Sequence, residues 1–327
     1  DTVVRWGIVG LGAVVVDHVA PAIANSPGSR LVGCAGRTLE KTRSFAAQFG
    51  VERVYRSHEE LARDRDVDAI YIATPNALHH AAVMAAARAG KHVLCEKPLA
   101  LCVADGREMV EACRAAGVIL RVAFQIRLER ILQRARKIIA SGTLGELRSI
   151  AFERTAPVGP HAEWRRDPAQ GGILYDVAVH LLDLVPWLSG LRFREVFAVS
   201  RPDRRGGESD ETLAILARLG EGCHAVIRAS REIPFAENDL LVEGTEGMLS
   251  TSALRWAEEY TLRIRSASGL TEERYAATPT YQREIEAFEG EISGERSVLP
   301  TGEEGVRMIE IAAAVLESIQ SRRAVAV

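Results

Sequence analysis

The stretch 3-VVRWGIVGLGAVVVDHVAPAIAN-25 decides how the rest of the chain is read. Val3 to Val9 is a β-branched apolar run of strand length. It passes directly into 10-GLGAVV-15 and then into a helical stretch, Val14 to Asn25, with a kink expected at Pro21. A strand, a glycine turn and a helix in that order open a βαβ unit. A tight turn at Gly10 and bare backbone at Gly12 leave room for a pyrophosphate facing the N–H groups of the helix start, including those near Ala13 and Val14. Val15 stands where a third glycine is usual, so the loop alone is a weak signal and its context must carry it.

Working outward, short buried runs alternate with helical ones. Strands are expected at Leu31 to Ala35, near Val54, at Ala69 to Ala73, at Val93 to Cys95 and at Val118 to Phe124. Helices are expected at Leu39 to Phe49, Glu59 to Arg63, Ala77 to Ala89 and Val103 to Ala116. That alternation predicts a doubly wound parallel sheet of dinucleotide-binding size over residues 1–123. After Phe124 the rhythm changes. An amphipathic stretch, Ile126 to Ala140, precedes 147-LRSIAFER-154, 193-FREVFAVS-200, 212-TLAILARL-219, 223-CHAVIRAS-230, 240-LLVEGTEGMLS-250 and 260-YTLRIRS-266, with helices closing the chain at Gln282 to Ile292 and Glu304 to Ser321. Consecutive strands with short polar connections predict an α/β second domain, 124–327, built on a large, mostly antiparallel sheet.

A length of 327 residues favours two domains. With 47% hydrophobic and 26% charged residues and a net charge of −3, nothing concentrates the basic charge that nucleic acid or anionic membranes require, so a small neutral ligand is the expected partner. The five cysteines, Cys34, Cys95, Cys102, Cys113 and Cys223, show no zinc-type spacing and read as reduced core thiols. His79 and His80 are adjacent, so on a helix they diverge, and no metal site is expected. No secretory leader pattern or uncharged run of ~20 apolar residues is present, and a cytoplasmic location is the expectation.

Three further places carry chemistry. The second strand ends 34-CAGRT-38, with Gly36 where NAD enzymes usually hold an acid for the adenine ribose. Arg37 there favours a 2′-phosphate, although it could equally be solvated or stack on the adenine of either cofactor. In 92-HVLCEKPLA-100 a buried strand ends in Glu96, Lys97 and Pro98. A lysine at the carboxyl end of a parallel strand, desolvated and near an oxidised nicotinamide, would have its pKa lowered, whereas a solvated lysine paired with Glu96 is the commoner fate. Asp176 and His180 are four apart and share one face of a helix entered through 171-GG-172. His180 is a natural proton shuttle, and Asp176 could bond a substrate hydroxyl or orient the histidine. The bland alternative is a dipole-favoured helix-start Asp beside a satisfied histidine, and Asp183 in the same helix has no special cause on this reading.

The segments 10-GLG-12 with His18, 74-TPNALH-79, 95-CEKPLA-100, 171-GGILYDVAVH-180 and 244-GTEG-247, in this order, resemble the Gfo/Idh/MocA family. Within it, 92-HVLCEKPLAL-101 with 176-DVAVH-180 is most similar to the anhydrofructose reductase and sugar dehydrogenase branch. The resemblance implies a Rossmann domain, a second domain whose open sheet forms homo-oligomer contacts, and hydride transfer between NADP(H) or NAD(H) and a CH–OH or C=O group of a sugar, anhydro sugar or cyclitol. It implies Lys97, Asp176 and His180 as the catalytic set. It also implies Thr74, Pro75, Asn76, His79 and Glu96 at the nicotinamide end, Trp164 and Arg165 as a bordering pair, and a cis bond before Pro98. NADP(H) is favoured through Arg37. The family also contains a non-catalytic dinucleotide-sensing regulator and NAD-dependent glycoside hydrolases, which remain alternatives. The segment 124-FQIR-127 departs from the anhydrofructose reductases and leaves the substrate open, as does 157-PVGPHAEWRR-166, where specificity is expected to reside.

Overall fold

A computed structural model describes residues 3–157, 165, 167, 170–202, 210–234, 238–254 and 257–327. The chain divides into two units, Asp1–Gln125 with Pro279–Ile309, and Ile126–Thr278 with Glu310–Val327. In the first, β1 (Val4–Val9), β2 (Ser29–Ala35), β3 (Arg53–Tyr55), β4 (Ala69–Ile72), β5 (His92–Glu96) and β6 (Leu120–Ala123) form one parallel sheet in the order β3-β2-β1-β4-β5-β6. This is the doubly wound arrangement expected, whose strand order reverses between β1 and β4. Helices cover both faces, so the inner strands are apolar throughout: Trp6, Ile8, Ile70, Tyr71, Ile72, Val93, Leu94 and Cys95 are all buried.

The helix at the sheet's start differs from the expectation. It begins as a π-helical turn, Val15–Val19, and continues as α1 (Ala20–Asn25), with Pro21 in the first turn of the α-helical part. Pro21 has no N–H to give to the preceding helical turn, and the irregularity expected at it is present as the π-helical turn just before it. The crossover helices follow as α2 (Leu39–Phe49), α3 (His58–Ala62), α4 (His79–Arg88) and α5 (Val103–Ala115).

Residues 279–309 fall within the first unit, beyond the bound of 123 read from the sequence. The reason is packing. Phe288 of the helix Thr280–Ile292 is fully buried with its ring 5.4 Å from that of Trp6 on β1. Next to it, Glu289 accepts the Trp6 indole N–H at 3.2 Å and the Ser29 hydroxyl. Further along, Arg121 on the edge strand β6 donates to Glu291 at 2.7 Å, and Val122 N–H donates to the Pro300 carbonyl at 3.1 Å.

In the second unit β7 (Leu147–Thr155), β8 (Phe193–Pro202), β9 (Asp210–Leu219), β10 (Cys223–Ser230), β11 (Leu240–Gly244), β12 (Gly247–Thr251), β13 (Glu259–Ser266), β14 (Gly269–Ala276) and β15 (Val325–Ala326) form one sheet, ordered β14-β13-β12-β11-β7-β10-β9-β8-β15. All its pairings are antiparallel except β7 with β10. The run 240–250, expected as one strand, is the hairpin β11–β12, and the polar strand β14 was not foreseen. Period-two alternation buries Leu213, Ile215, Ala217, Ala225, Ile227 and Ala229 on one face. The other face exposes Phe197, Val199, Leu216 and Val226, and Leu216 lies opposite both Phe197 and Val226 in the register. The unit also contains α6 (Arg130–Ala140) and α7 (Val179–Ser189). The helix Thr280–Ile292 is α8, and α9 (Gly302–Ser321) contributes to the first unit up to Ile309 and to the second from Glu310.

Of the cysteines, Cys34, Cys95, Cys113 and Cys223 are buried and free, and burial pushes the Cys34 and Cys113 thiols up to about 11. Cys102 is free but exposed, contrary to the core position expected. Among the described residues no helix is long and apolar enough to cross a membrane, and no three side chains group to hold a metal ion. Replacing Phe288 by Ala removes the apolar contact that ties α8 to β1. It should cost about 3–5 kcal/mol in denaturant unfolding; a loss below ~1 kcal/mol would show that α8 is not part of the first unit's core.

Candidate active site

The end of β1 is fixed by Gly10, whose φ is +90° and whose N–H donates to Ala35 O at 2.9 Å. A Cβ here would fall 2.4 Å from the Ala73 carbonyl oxygen and 2.6 Å from Thr74 N, so only glycine allows the ends of β1 and β4 to approach. At Gly12, by contrast, nothing lies within 4 Å of where a Cβ would stand. The Gly12 carbonyl accepts Val15 N–H and Val16 N–H at 3.0 and 3.1 Å, turning the chain into the helix with Ala13 and Val14 in its first turn. Beside this loop, Thr74 Oγ1 is buried with no hydrogen-bond partner among the described residues. Open space over Gly12, helix-start N–H groups and an orphaned hydroxyl fit an anionic dinucleotide. Val15, in place of the third glycine, is wholly buried and opens the π-helical turn.

At the end of β2 the residue after Ala35 must also be small. A Cβ on Gly36 would stand 2.9 Å from both Leu11 Cδ1 and Thr42 Oγ1, which leaves no room for a carboxylate side chain. Gly36 N–H donates to Thr42 Oγ1 at 3.1 Å, and Thr38 caps α2 by accepting Lys41 N–H at 3.3 Å. Arg37 is exposed, and no ion pair holds it among the described residues.

Beyond β4 and β5 a single imidazole fixes two loops. His79 is fully buried, with Nδ1 2.8 Å from Pro98 O and Nε2 3.0 Å from Thr74 O. Burial pushes its pKa down. The Lys97–Pro98 peptide is cis. Glu96 is committed as well: its Oε1 accepts the Tyr71 hydroxyl at 2.9 Å and its Oε2 accepts Lys97 N–H at 3.2 Å. His79 and Glu96, expected to line the nicotinamide end, therefore spend these polar atoms on the backbone and side chains that carry Thr74, Lys97 and Pro98. Pro75 is exposed, and Asn76 opens a short 3-10 turn ahead of α4.

In the second unit Asp176 lies in a π-helical turn, Leu174–Ala178, and His180, buried, lies in the first turn of α7. The uniform α-helical register assumed for this pair is thus interrupted. Asp176 Oδ2 is 3.3 Å from Arg231 Nε, and Oδ1 is 3.7 Å from Arg165 Nη1. Arg231 is fully buried, and its Nη1 lies 3.5 Å from Glu211, itself buried. Sequence reading missed both, although a signal existed. Glu211 and Arg231 fall on the same alternating positions as the buried residues of β9 and β10, and Arg231 N–H donates to Glu211 O at 2.9 Å. Asp183 has a cause after all, a buried two-pronged pair with Arg127 at 2.8 and 2.6 Å. Trp164 and most of 157–166 lie outside the described residues.

The family model for the oxidoreductase family with an NAD-binding Rossmann fold matches residues 4–124, and that for the GFO/IDH/MocA C-terminal domain matches 132–250. The chain belongs to the Gfo/Idh/MocA oxidoreductase family. Among its Gfo/Idh/MocA relatives, the 1,5-anhydro-D-fructose reductase of Ensifer adhaerens is 32% identical over 325 residues, 98% of this chain and 97% of that one. The structure of an aldose-aldose oxidoreductase from Caulobacter crescentus, complexed with glycerol, superposes with a TM-score of 0.91 at 26% identity, covering 99% of this chain and 100% of that one. A 3-ketoreductase from Actinomadura kijaniata, in complex with NADP and TDP-benzene, gives 0.87 at 25%, covering 97% and 98%. The protein is an oxidoreductase whose first domain is of the NAD-binding type.

Arg231 is the sole cation within ion-pair distance of Glu211 among the described residues. Replacing it by Ala removes the buried cation that pairs with both Asp176 and Glu211 and should cost about 3–5 kcal/mol, read as a lowered denaturant midpoint. Unchanged stability would show that this bridge is not what holds Asp176.

Proposed function

We infer that the protein interconverts a hydroxyl and a carbonyl group on a sugar, anhydro sugar or cyclitol, with a nicotinamide dinucleotide as hydride partner. The observation that carries this is the His79 bridge. One imidazole spans the Thr74 and Pro98 carbonyls, so the loop bearing Lys97 is held beside the Gly10–Thr74 junction, at the carboxyl ends of the strands where such sheets bind cofactor. Support for the substrate class comes from the names of relatives, among them a 1,5-anhydro-D-fructose reductase, a myo-inositol 2-dehydrogenase and an aldose-aldose oxidoreductase.

When bound, the nicotinamide ring gives or takes the hydride. The chain's own residues divide the remaining work. Gly10, Gly12, Ala13, Val14 and Thr74 form the dinucleotide cradle, with Pro75 and Asn76 beyond the end of β4. Lys97 donates to or polarises the substrate oxygen, His180 moves the proton, and Asp176, set by Arg231 and Arg165, accepts a hydrogen bond from a substrate hydroxyl. Trp164 keeps its assignment as a bordering residue. Cofactor choice leans to NADP(H), because Gly36 excludes an acid at the ribose corner and Arg37 stands exposed with no ion pair among the described residues.

A second copy of this chain is the proposed partner for the exposed row Phe197, Leu216 and Val226. A cytoplasmic location fits the five free cysteines. Replacing Leu216 by Glu should convert an oligomer into monomers in sedimentation velocity, and an unchanged assembly would place the contact elsewhere.

A panel of sugars and cyclitols assayed with NADPH and NADH, and with the oxidised cofactors in reverse, should identify a turned-over substrate. Lys97→Ala and His180→Ala should each lower kcat on it by about 10²- to 10⁴-fold. Full activity in both variants would refute the assignment, and strict preference for NADH would refute the role of Arg37.

A further inference from the structure

The first unit contains a carboxyl group that the reaction above leaves unused. Glu284, on α8, is fully buried, and neither carboxyl oxygen has a hydrogen-bond partner among the described residues. Its neighbours are polar all the same. The groups facing it are the hydroxyl of Tyr71, itself fully buried on β4, and the carboxyl of Glu96 at the end of β5. One turn earlier on α8, Tyr281 stacks on His18, with ring centroids 4.8 Å apart and planes 4° apart, and its hydroxyl accepts Gln125 Nε2–H at 3.2 Å. The helix thus presents Tyr281 and Glu284 on one face toward the strand ends that carry Glu96 and Lys97.

A carboxylate wholly removed from water and lacking a donor is strongly disfavoured, and such a group relieves the cost by taking up a proton. Burial is the largest influence on Glu284 and pushes its carboxyl well above the ordinary range; the charge of Glu96 adds to this, and the Tyr71 hydroxyl offsets only part. A neutral Glu284 has one O–H to donate, and the Tyr71 oxygen is the available acceptor, because the phenol has already given its own hydrogen to Glu96 Oε1. With that O–H turned to Tyr71, the hydrogen bonds converge on Glu96: the Tyr71 hydroxyl donates to its Oε1 at 2.9 Å and Lys97 N–H to its Oε2 at 3.2 Å. Such chains polarise along their length, and a fully satisfied one fixes its members.

We propose that Glu284 is a positioning residue for Lys97, acting through Tyr71 and Glu96. This rests on Lys97 being the residue that meets the substrate oxygen. The donor at the far end of the chain holds Glu96, and Glu96 holds the backbone of Lys97, so loss of the donor loosens the presentation of the ammonium without removing it.

The test compares Glu284→Gln, Glu284→Ala, Tyr71→Phe and the double variant Tyr71→Phe/Glu284→Ala, with Lys97→Ala as control. Glu284→Gln keeps a neutral donor of the same shape and should retain the kcat and pH profile of the unaltered enzyme. Glu284→Ala and Tyr71→Phe should each lower kcat by about 10- to 100-fold, leave the cofactor KM unchanged and shift the limb of the pH profile that Lys97→Ala removes. The double variant should be no slower than Tyr71→Phe, because both act along one path. A fully active Glu284→Ala beside an inactive Lys97→Ala removes the role of Glu284 alone, whereas a fully active Lys97→Ala removes the reading of Lys97 itself. A Glu284→Gln as slow as Glu284→Ala, or multiplicative losses in the double variant, also overturns the proposal. An activity-free readout accompanies these. An acid whose folded pKa is raised contributes stability that is full below its unfolded pKa of ~4.3 and is lost as pH rises through the folded value. Glu284→Gln should remove that fall from the unfolding curves, and an unaltered pH slope counts against a protonated Glu284.

Discussion

Where β1 ends, its backbone meets the end of β4 so closely that no side chain fits between them. Gly10, in the left-handed region, is what permits this contact, and much of the first unit's chemistry follows from it. Because β1 and β4 lie side by side at the point where the strand order reverses, their ends open onto one crevice, with bare backbone at Gly12 and the orphaned hydroxyl of Thr74. The same junction then sets the next strand. His79 uses both ring nitrogens to tie the Thr74 and Pro98 carbonyls, so the backbone that carries Lys97 is fixed to the end of β4.

The second unit solves a different problem, holding charge in an apolar setting. Asp176 is set by Arg231, and Arg231 is balanced by Glu211; Asp183 is neutralised by Arg127 within the same helical layer. Each of these charges has a partner of opposite sign, which keeps the desolvation cost tolerable. The π-helical turns at Val15–Val19 and Leu174–Ala178 fall on two segments to which function is assigned, the dinucleotide loop and the Asp176 region. Widened turns of this kind often mark sites where a side chain must be re-aimed at the expense of a regular helical bond.

Much of this was legible in the chain. The alternation of buried runs and amphipathic stretches reports the six parallel strands, because a sheet covered on both faces leaves a local apolar signature in each strand. Gly10 could be singled out from its place between a strand and a helix, whereas Lys97, Asp176 and His180 each have a commoner bland reading and were raised only by the motifs that accompany them and by the family resemblance. What could not be read depends on contacts distant in sequence. Segment 279–309 belongs to the first unit because Phe288 meets Trp6 across most of the chain length, and no local pattern encodes that. The same is true of the bonds that join His79 to the Pro98 carbonyl and Glu96 to the Tyr71 hydroxyl, which link residues far apart in the chain. Arg231 and Glu211 lie between these cases: Glu211 within β9 and Arg231 just past the end of β10 continue the odd-numbered positions that are buried in those strands, a parity visible in the sequence.

The central claim is that a hydride passes between a nicotinamide and a carbon of the substrate. The most direct measurement follows the label from a cofactor deuterated at the transferring position of the nicotinamide into the product of a substrate the enzyme turns over. The account predicts deuterium on the carbinol carbon of the product, one atom per turnover, and none in solvent. Product formed with the label still on the cofactor, or released to water, would contradict it.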